Sequence, residues 1–215
     1  MGSRWFLYRF RGRICSMNTK ERNDLLISWA TISFAFTWIM WELGTGLPLG
    51  LALVVSFVSV GSGFITHELA HRYVAIRFGA HAEYRAWQTG LIFAAVSALM
   101  GFIFAAPGAV YIYGQRIGFK ENGIISAAGP ATNIVVALIF LGLVMFMGNG
   151  SVFALIMIWA AQINFFLAAF NLIPFSPLDG YKVFIWNKAL WFVMILFSGI
   201  WALRFSWMAG LIGII

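Results

Sequence analysis

The sequence predicts an all-α polytopic membrane protein with about five to six transmembrane helices and a re-entrant or extended segment. Three observations predict it. Hydrophobic residues make up 62% of the 215 residues and charged residues 10%, with a mean hydropathy of +0.89. No soluble domain can bury that much apolar surface. Aromatic residues reach 18%, and Trp and Tyr favour bilayer interfaces. Apolar runs of spanning length also recur along the chain, separated by short polar or glycine-rich turns.

Residues 1–24 form a basic arm. Arg4, Arg9, Arg11, Arg13, Lys20 and Arg22 crowd the chain before the first apolar run, so the positive-inside rule puts this end in the cytoplasm. Some affinity for anionic lipid follows. Nucleic acid is not an expected partner, because no folded domain surrounds these cations. The first apolar run keeps Trp38, Ile39, Met40 and Trp41 where a cleaved signal would have small residues. Position 6 is Phe, which does not support myristoylation. Cys15 is the single cysteine, which excludes an internal disulfide and a cysteine-based zinc site.

Residues 25–215 read as one transmembrane domain. Leu25 to Trp41 is the first span, running outward, and Glu42 to Leu49 is an external turn. Gly50 to about Phe78 returns inward, with Arg72, Arg77 and Arg85 at its cytoplasmic end. Gln88 to Gly114 is apolar but interrupted by Gly101, Pro107 and Gly108. The next polar piece carries Arg116 and Lys120 and reads as cytoplasmic. A re-entrant path therefore fits: a helix to about Phe104, then extended Ala109 to Tyr113. An ordinary span with weak charge bias is the alternative. Non-helical backbone at membrane depth is tolerated only against protein or a wet cavity, which puts this segment beside the active site. Ile124 to Met147 runs outward, Gly148-Asn149-Gly150 is an external turn, and Ser151 to about Ile173 returns. Ala189 to Ile215 is one span with a tail, or two pieces split at Arg204.

Inside the second span stand His67-Glu68-Leu69-Ala70-His71. Ionisable groups in a spanning segment are costly and usually functional. Residues i and i+4 share a helix face, so both imidazoles can reach one metal. Glu68 sits beside the first of them, where it can take a proton from water activated by that metal. His67 lies ten residues before Arg77, about 15 Å from the cytoplasmic end at helical rise.

A catalytic zinc usually has three protein ligands and an open position. A third histidine downstream would need Gly at 74 and His at 77, where this chain has Val74 and Arg77. The downstream glutamates, Glu83 and Glu121, lie in basic interfacial loops. His81 reads as an exposed loop histidine. Asp179 is the only acid from Asn122 to the C-terminus. Pro174 breaks the helix before it, and Pro177 and Gly180 stop a regular helix from re-forming at once. That opened backbone would let Asp179 turn toward the metal. As an isolated residue it would instead cap a helix starting near Tyr181.

The two motifs together resemble the site-2 protease family of intramembrane zinc metalloproteases. His67 to His71 matches its His-Glu-x-x-His element. Asn171 to Gly180 matches Asn-x-x-Pro-x-x-x-Leu-Asp-Gly, and Gly129-Pro130-Ala131-Thr132-Asn133 matches Gly-Pro-x-x-Asn. The resemblance covers about Ser56 to Val183, within a motif-bearing core of about 50–183. It implies one zinc per chain held by His67, His71 and Asp179, with Glu68 as general acid/base. It also implies hydrolysis of peptide bonds within transmembrane helices of protein substrates. Neither a PDZ domain nor a nucleotide-binding module fits the loops. Asn133 and Asn171 either hold the unwound substrate backbone or repair helix breaks at Pro130 and Pro174. Segment 109–113 could pair with substrate as an added strand. Two other functions use the same residues: a metal carrier, and a silent membrane scaffold. Transport favours a string of ligands across the bilayer, whereas this chain has one cluster. A scaffold has no need of Glu68.

Overall fold

The computed structural model describes residues 17–42, 45–102, 107–114, 117–147 and 151–211, with side chains omitted for 147 and 205–211. Eight α-helices and one two-stranded sheet make up the described chain. Most of the basic arm, including Arg4, Arg9, Arg11, Arg13 and Cys15, lies outside the described residues, as do Arg116 and the Gly148–Gly150 turn.

Helix α1 covers Thr19–Glu42. It starts six residues earlier than the hydrophobic run suggests, because Asn18 caps it: the Asn18 side-chain oxygen accepts the Glu21 N–H at 2.7 Å. Lys20 and Arg22 therefore belong to the first helix. The buried stripe Leu25, Ser28, Ile32 and Ala35 follows helical spacing. Leu26, Ile27, Phe34 and Trp41 lie on the opposite, exposed face, as lipid contact demands.

Helix α2 (Leu49–Val60) runs through a π-helical turn (Gly61–Ile65) into helix α3 (Thr66–Arg77). Small residues make this stretch approachable. A Cβ on Gly61 would lie 2.9 Å from the Trp29 indole nitrogen, and one on Gly63 2.7 Å from Leu167. Both glycines thus let neighbouring helices close in. Gly79, at φ +83°, ends α3. Its N–H bonds to the Ile76 carbonyl at 2.9 Å and the Ala80 N–H to Ala75 at 3.1 Å, the paired bonds of a Schellman stop.

Strand β1 (His81–Ala86) follows and pairs antiparallel with β2 (Gly108–Tyr113), from His81 opposite Tyr113 to Ala86 opposite Gly108. The sequence reading leaves 81–86 as loop. Ala and Glu are poor strand formers, and the pairing partner lies more than twenty residues away. His81 is accordingly a strand residue, and an exposed one.

Between the strands, helix α4 (Gln88–Leu99) is about 18 Å long at helical rise, too short for a ~30 Å hydrocarbon core. The Trp87 N–H reaches the Pro107 carbonyl at 2.9 Å, so the segment leaves and returns at one place. This is the out-and-back path of a re-entrant segment, and Ala109 to Tyr113 is extended as expected. The helix ends at Leu99 rather than Phe104. Gly101, at φ +85°, stops it with bonds from Gly101 to Ala98 at 3.1 Å and from Phe102 to Ser97 at 3.2 Å.

Helix α5 (Phe119–Met147) contains Pro130. Helix α6 (Val152–Asn171) is capped by Ser151 and packs against α5. After Pro174 the chain turns into the short helix α7 (Asp179–Trp186). Helix α8 (Lys188–Leu211) runs unbroken through Arg204 and lies on α6, where Trp201 stacks on Phe165 at 5.5 Å. Four helical stretches, Thr19–Glu42, Leu49–Arg77, Phe119–Phe146 and Val152–Asn171, are long and apolar enough to cross a bilayer. Helix α8, of 24 residues, has the length of a fifth. The fold is that of an all-α polytopic membrane protein with a small sheet inserted beside its second span. Its interior is filled by small residues such as Ala52, Ala94, Ala137 and Ala160, all fully buried, which is how helices pack where apolar surface alone gives no preference.

Candidate metal centre

Helix α3 puts His67 and His71 one turn apart on its buried face, 5% and 8% exposed. Their Nε2 atoms lie 3.0 Å apart. Asp179, the first residue of α7, brings Oδ2 to 3.2 Å from His67 Nε2 and 3.0 Å from His71 Nε2. Gly180 makes that approach available. A Cβ there would run into the Leu172 carbonyl, so any side chain would push the start of α7 away from the end of α6.

The other ring nitrogens decide what the cluster can be. His71 Nδ1 is 2.7 Å from the Ile125 carbonyl, which can only accept. That carbonyl belongs to the turn of α5 that Pro130 loosens by crowding the Ser126 oxygen. His67 Nδ1 is 2.6 Å from Asn133 Oδ1. Both histidines thus carry their proton on Nδ1 and aim the Nε2 lone pair inward. Two lone pairs and a carboxylate oxygen converging at 3.0–3.2 Å repel one another unless a cation lies among them. Tetrahedral zinc with bonds of ~2.1 Å has ligand-to-ligand edges of about 3.4 Å, close to this spacing. Among the described residues, His67, His71 and Asp179 are the group of His, Cys, Asp and Glu side chains whose ligand atoms meet within 4.8 Å. The residues fit a metal ion.

Gly129, in α5, is part of the fit. A Cβ there would stand 2.5 Å from His71 Nε2 and 2.6 Å from His67 Nε2, so the absent side chain keeps the approach to both nitrogens open.

The trio opens into a cavity of about 270 Å³. Glu68 lines it beside the metal group, with Lys182 and Asn171. Apolar walls come from α1, α6 and the strand residues Gly108 to Val110. Asn171 bonds through its amide nitrogen to the Leu167 carbonyl at 2.9 Å while remaining in the wall. Asn133, read from sequence as a substrate contact, stands elsewhere: it is fully buried. Its amide is divided among His67, the Gly63 carbonyl at 3.0 Å and Asn164 at 3.0 Å, which leaves no atom for a substrate. It is neither a cavity residue nor a patch for the break at Pro130.

Some participants escape the sequence reading. Asn164 carried a signal, as an amide within an apolar span. The Ile125 carbonyl carried none. Glu21, within the basic stretch that precedes the first apolar run, is only 1% exposed. It accepts from Arg72 Nε at 2.8 Å and from the Tyr84 N–H at 3.1 Å, tying α1 to the metal helix and to β1.

Fold and site together define a polytopic membrane protein with a histidine-histidine-aspartate group that could hold a metal ion and an adjacent glutamate. A protein of Methanocaldococcus jannaschii named as a candidate zinc metalloprotease is 42% identical over 182 residues, 84% of this chain and 92% of its own length. A candidate zinc metalloprotease of Mycobacterium tuberculosis is 29% identical over 190 residues, 82% of this chain but 43% of its own. One of Bacillus subtilis is 33% identical over 160 residues, 63% of this chain and 66% of its own. No family model matches the chain, and no solved structure does. The chain belongs to the site-2 protease family.

Proposed function

We propose that this protein is a zinc metalloprotease that hydrolyses peptide bonds within or near the transmembrane helices of membrane-protein substrates. The observation that carries the reading is the convergence of His67 Nε2, His71 Nε2 and Asp179 Oδ2 at 3.0–3.2 Å, with Glu68 lining the same largely apolar cavity. His67, His71 and Asp179 would hold one zinc ion. When bound, zinc polarises the scissile carbonyl and makes water a nucleophile near neutral pH. Glu68 takes the proton from the attacking water and passes it to the departing amine. Neither metal retention nor helix packing needs a carboxylate at that position.

The substrate must be extended to be cut, because a helix keeps its carbonyls in internal bonds. Strand β2 supports this step. It is paired on one side by β1, and residues 108–110 line the cavity wall. Its second edge offers backbone groups to an unwound substrate strand. Asn171, in the same wall, would accept from that backbone through its side-chain oxygen, its amide nitrogen being bonded to the Leu167 carbonyl.

Orientation follows from charge. The N-terminus is cytoplasmic, and the metal sits within the membrane on the cytoplasmic side, toward the end of α3 at Arg77 and the start of α8 at Lys188. The setting is a cell membrane.

The test is metal analysis and cleavage of a transmembrane substrate by the full chain in lipid. The wild type should carry about one zinc. Chelation should abolish cleavage, and added zinc should restore it. Glu68→Gln should keep zinc and substrate binding while turnover falls by roughly 10²–10⁴. Cleavage by Glu68→Gln at the wild-type rate refutes the mechanism. A metal carrier would keep its flux in that variant.

A further inference from the structure

We infer that Asn164, in the middle of α6 and away from the cavity wall, is a positioning residue for the metal centre. It acts through Asn133 to fix the ring orientation and tautomer of His67. The inference rests on the zinc reading above.

The argument begins with groups whose role has no alternative. The Ala160 and Gly63 carbonyls can only accept. Asn164 Nδ2 lies 2.8 Å from the Ala160 oxygen and 3.3 Å from Ser62 Oγ, so nitrogen occupies that end. Asn164 Oδ1 must then face Asn133, whose Nδ2 is 3.0 Å away. The second hydrogen of Asn133 Nδ2 goes to the Gly63 oxygen at 3.0 Å. Both amide hydrogens of Asn133 are now used, and its oxygen is left facing His67 Nδ1 at 2.6 Å. Only an N–H satisfies that oxygen, so the Nε2 lone pair points at the metal position.

An isolated asparagine could not enforce this. A flipped Asn133 would donate to His67, select the other tautomer and put a proton on Nε2. With Asn164 and Gly63 in place, the flip sets oxygen against oxygen twice in a fully buried site. His71 has no such dependence, because a backbone carbonyl holds it. The π turn serves the same end. It brings the Gly63 oxygen to Asn133, and the missing Gly63 side chain leaves room for Leu167, one turn along α6 from Asn164, which a Cβ there would meet at 2.7 Å.

The test uses the full chain in lipid nanodiscs. Zinc affinity is measured by chelator competition, and the visible spectrum is recorded for the cobalt-substituted protein. Asn133→Leu should weaken zinc about 10–100-fold and Asn164→Leu about 10-fold, the range for groups that orient metal ligands. The cobalt band should shift in both. The double variant should bind no more weakly than Asn133→Leu alone, because one acts through the other. Asn164→Ala carries the same expectation should the leucine variant fail to fold. A purely structural Asn164 would lower thermal stability and leave zinc affinity and the cobalt spectrum unchanged, which overturns the inference. Additive losses in the double variant overturn it too. Wild-type protein that binds no zinc overturns the metal reading itself and is seen before any variant is compared.

Discussion

Gly129 acts by having no side chain. The position where its Cβ would stand is 2.5 Å and 2.6 Å from the two metal-facing nitrogens, so a single methyl occupies the ligand side of the site. Gly129→Ala should weaken zinc binding by about 100-fold or more, above the usual range for indirect effects, while the helices still form. Zinc titration together with circular dichroism checks both halves, and wild-type affinity in the variant would show that α5 stands farther from the histidines. The buried amides make a related point. A hydrogen bond between side chains of membrane helices contributes only about 0.6–2 kcal/mol. Asn133 and Asn164 are thus a weak means of holding helices together and an effective means of setting direction.

At the scale of elements, the hairpin and the metal helix are held by one buried carboxylate. Glu21 receives both the Arg72 guanidinium and the Tyr84 backbone N–H. The Tyr84 hydroxyl donates to Ser28 at 2.9 Å, and the Ser28 hydroxyl donates to the Pro107 carbonyl at 3.4 Å. Removing one partner of such a buried pair costs about 3–5 kcal/mol. Glu21→Ala should therefore lower the thermal midpoint sharply, whereas Glu21→Gln, which keeps an acceptor oxygen, should lower it less. Equal midpoints for wild type and Glu21→Ala would mean that the pair does not join these elements. The helices were legible from apolar run length and from stop signals such as Pro174. The end of α4 is not legible because the apolar run continues past Gly101, and only a positive φ there turns the chain. Strand β1 is not legible either, because its residues have little strand preference and its conformation comes from its partner.

For the whole molecule, the proposed topology follows from alternating spans and one excursion that does not cross. Reporters fused after Asn18, His81, Glu121 and Lys188 should read cytoplasmic, and one after Asn149 external. A cytoplasmic signal at Asn149 would break the order of spans. An external signal at Glu121 would mean that 88–114 crosses fully, against the bond that joins Trp87 to Pro107.

By itself the sequence determined the solvent, the approximate spans, and that His67, Glu68 and His71 share a helix turn, because hydropathy and helical periodicity are local properties. It also singled out Asp179, because so few acids exist in this chain. Only the tertiary structure decided that Asn133 faces a histidine and not the cavity, that Gly129 borders both ring nitrogens, and that Glu21 joins three elements. Each of these depends on which faces meet when distant helices pack. A buried polar atom takes whichever partner that packing brings within 3 Å, and no spacing along the chain encodes the choice.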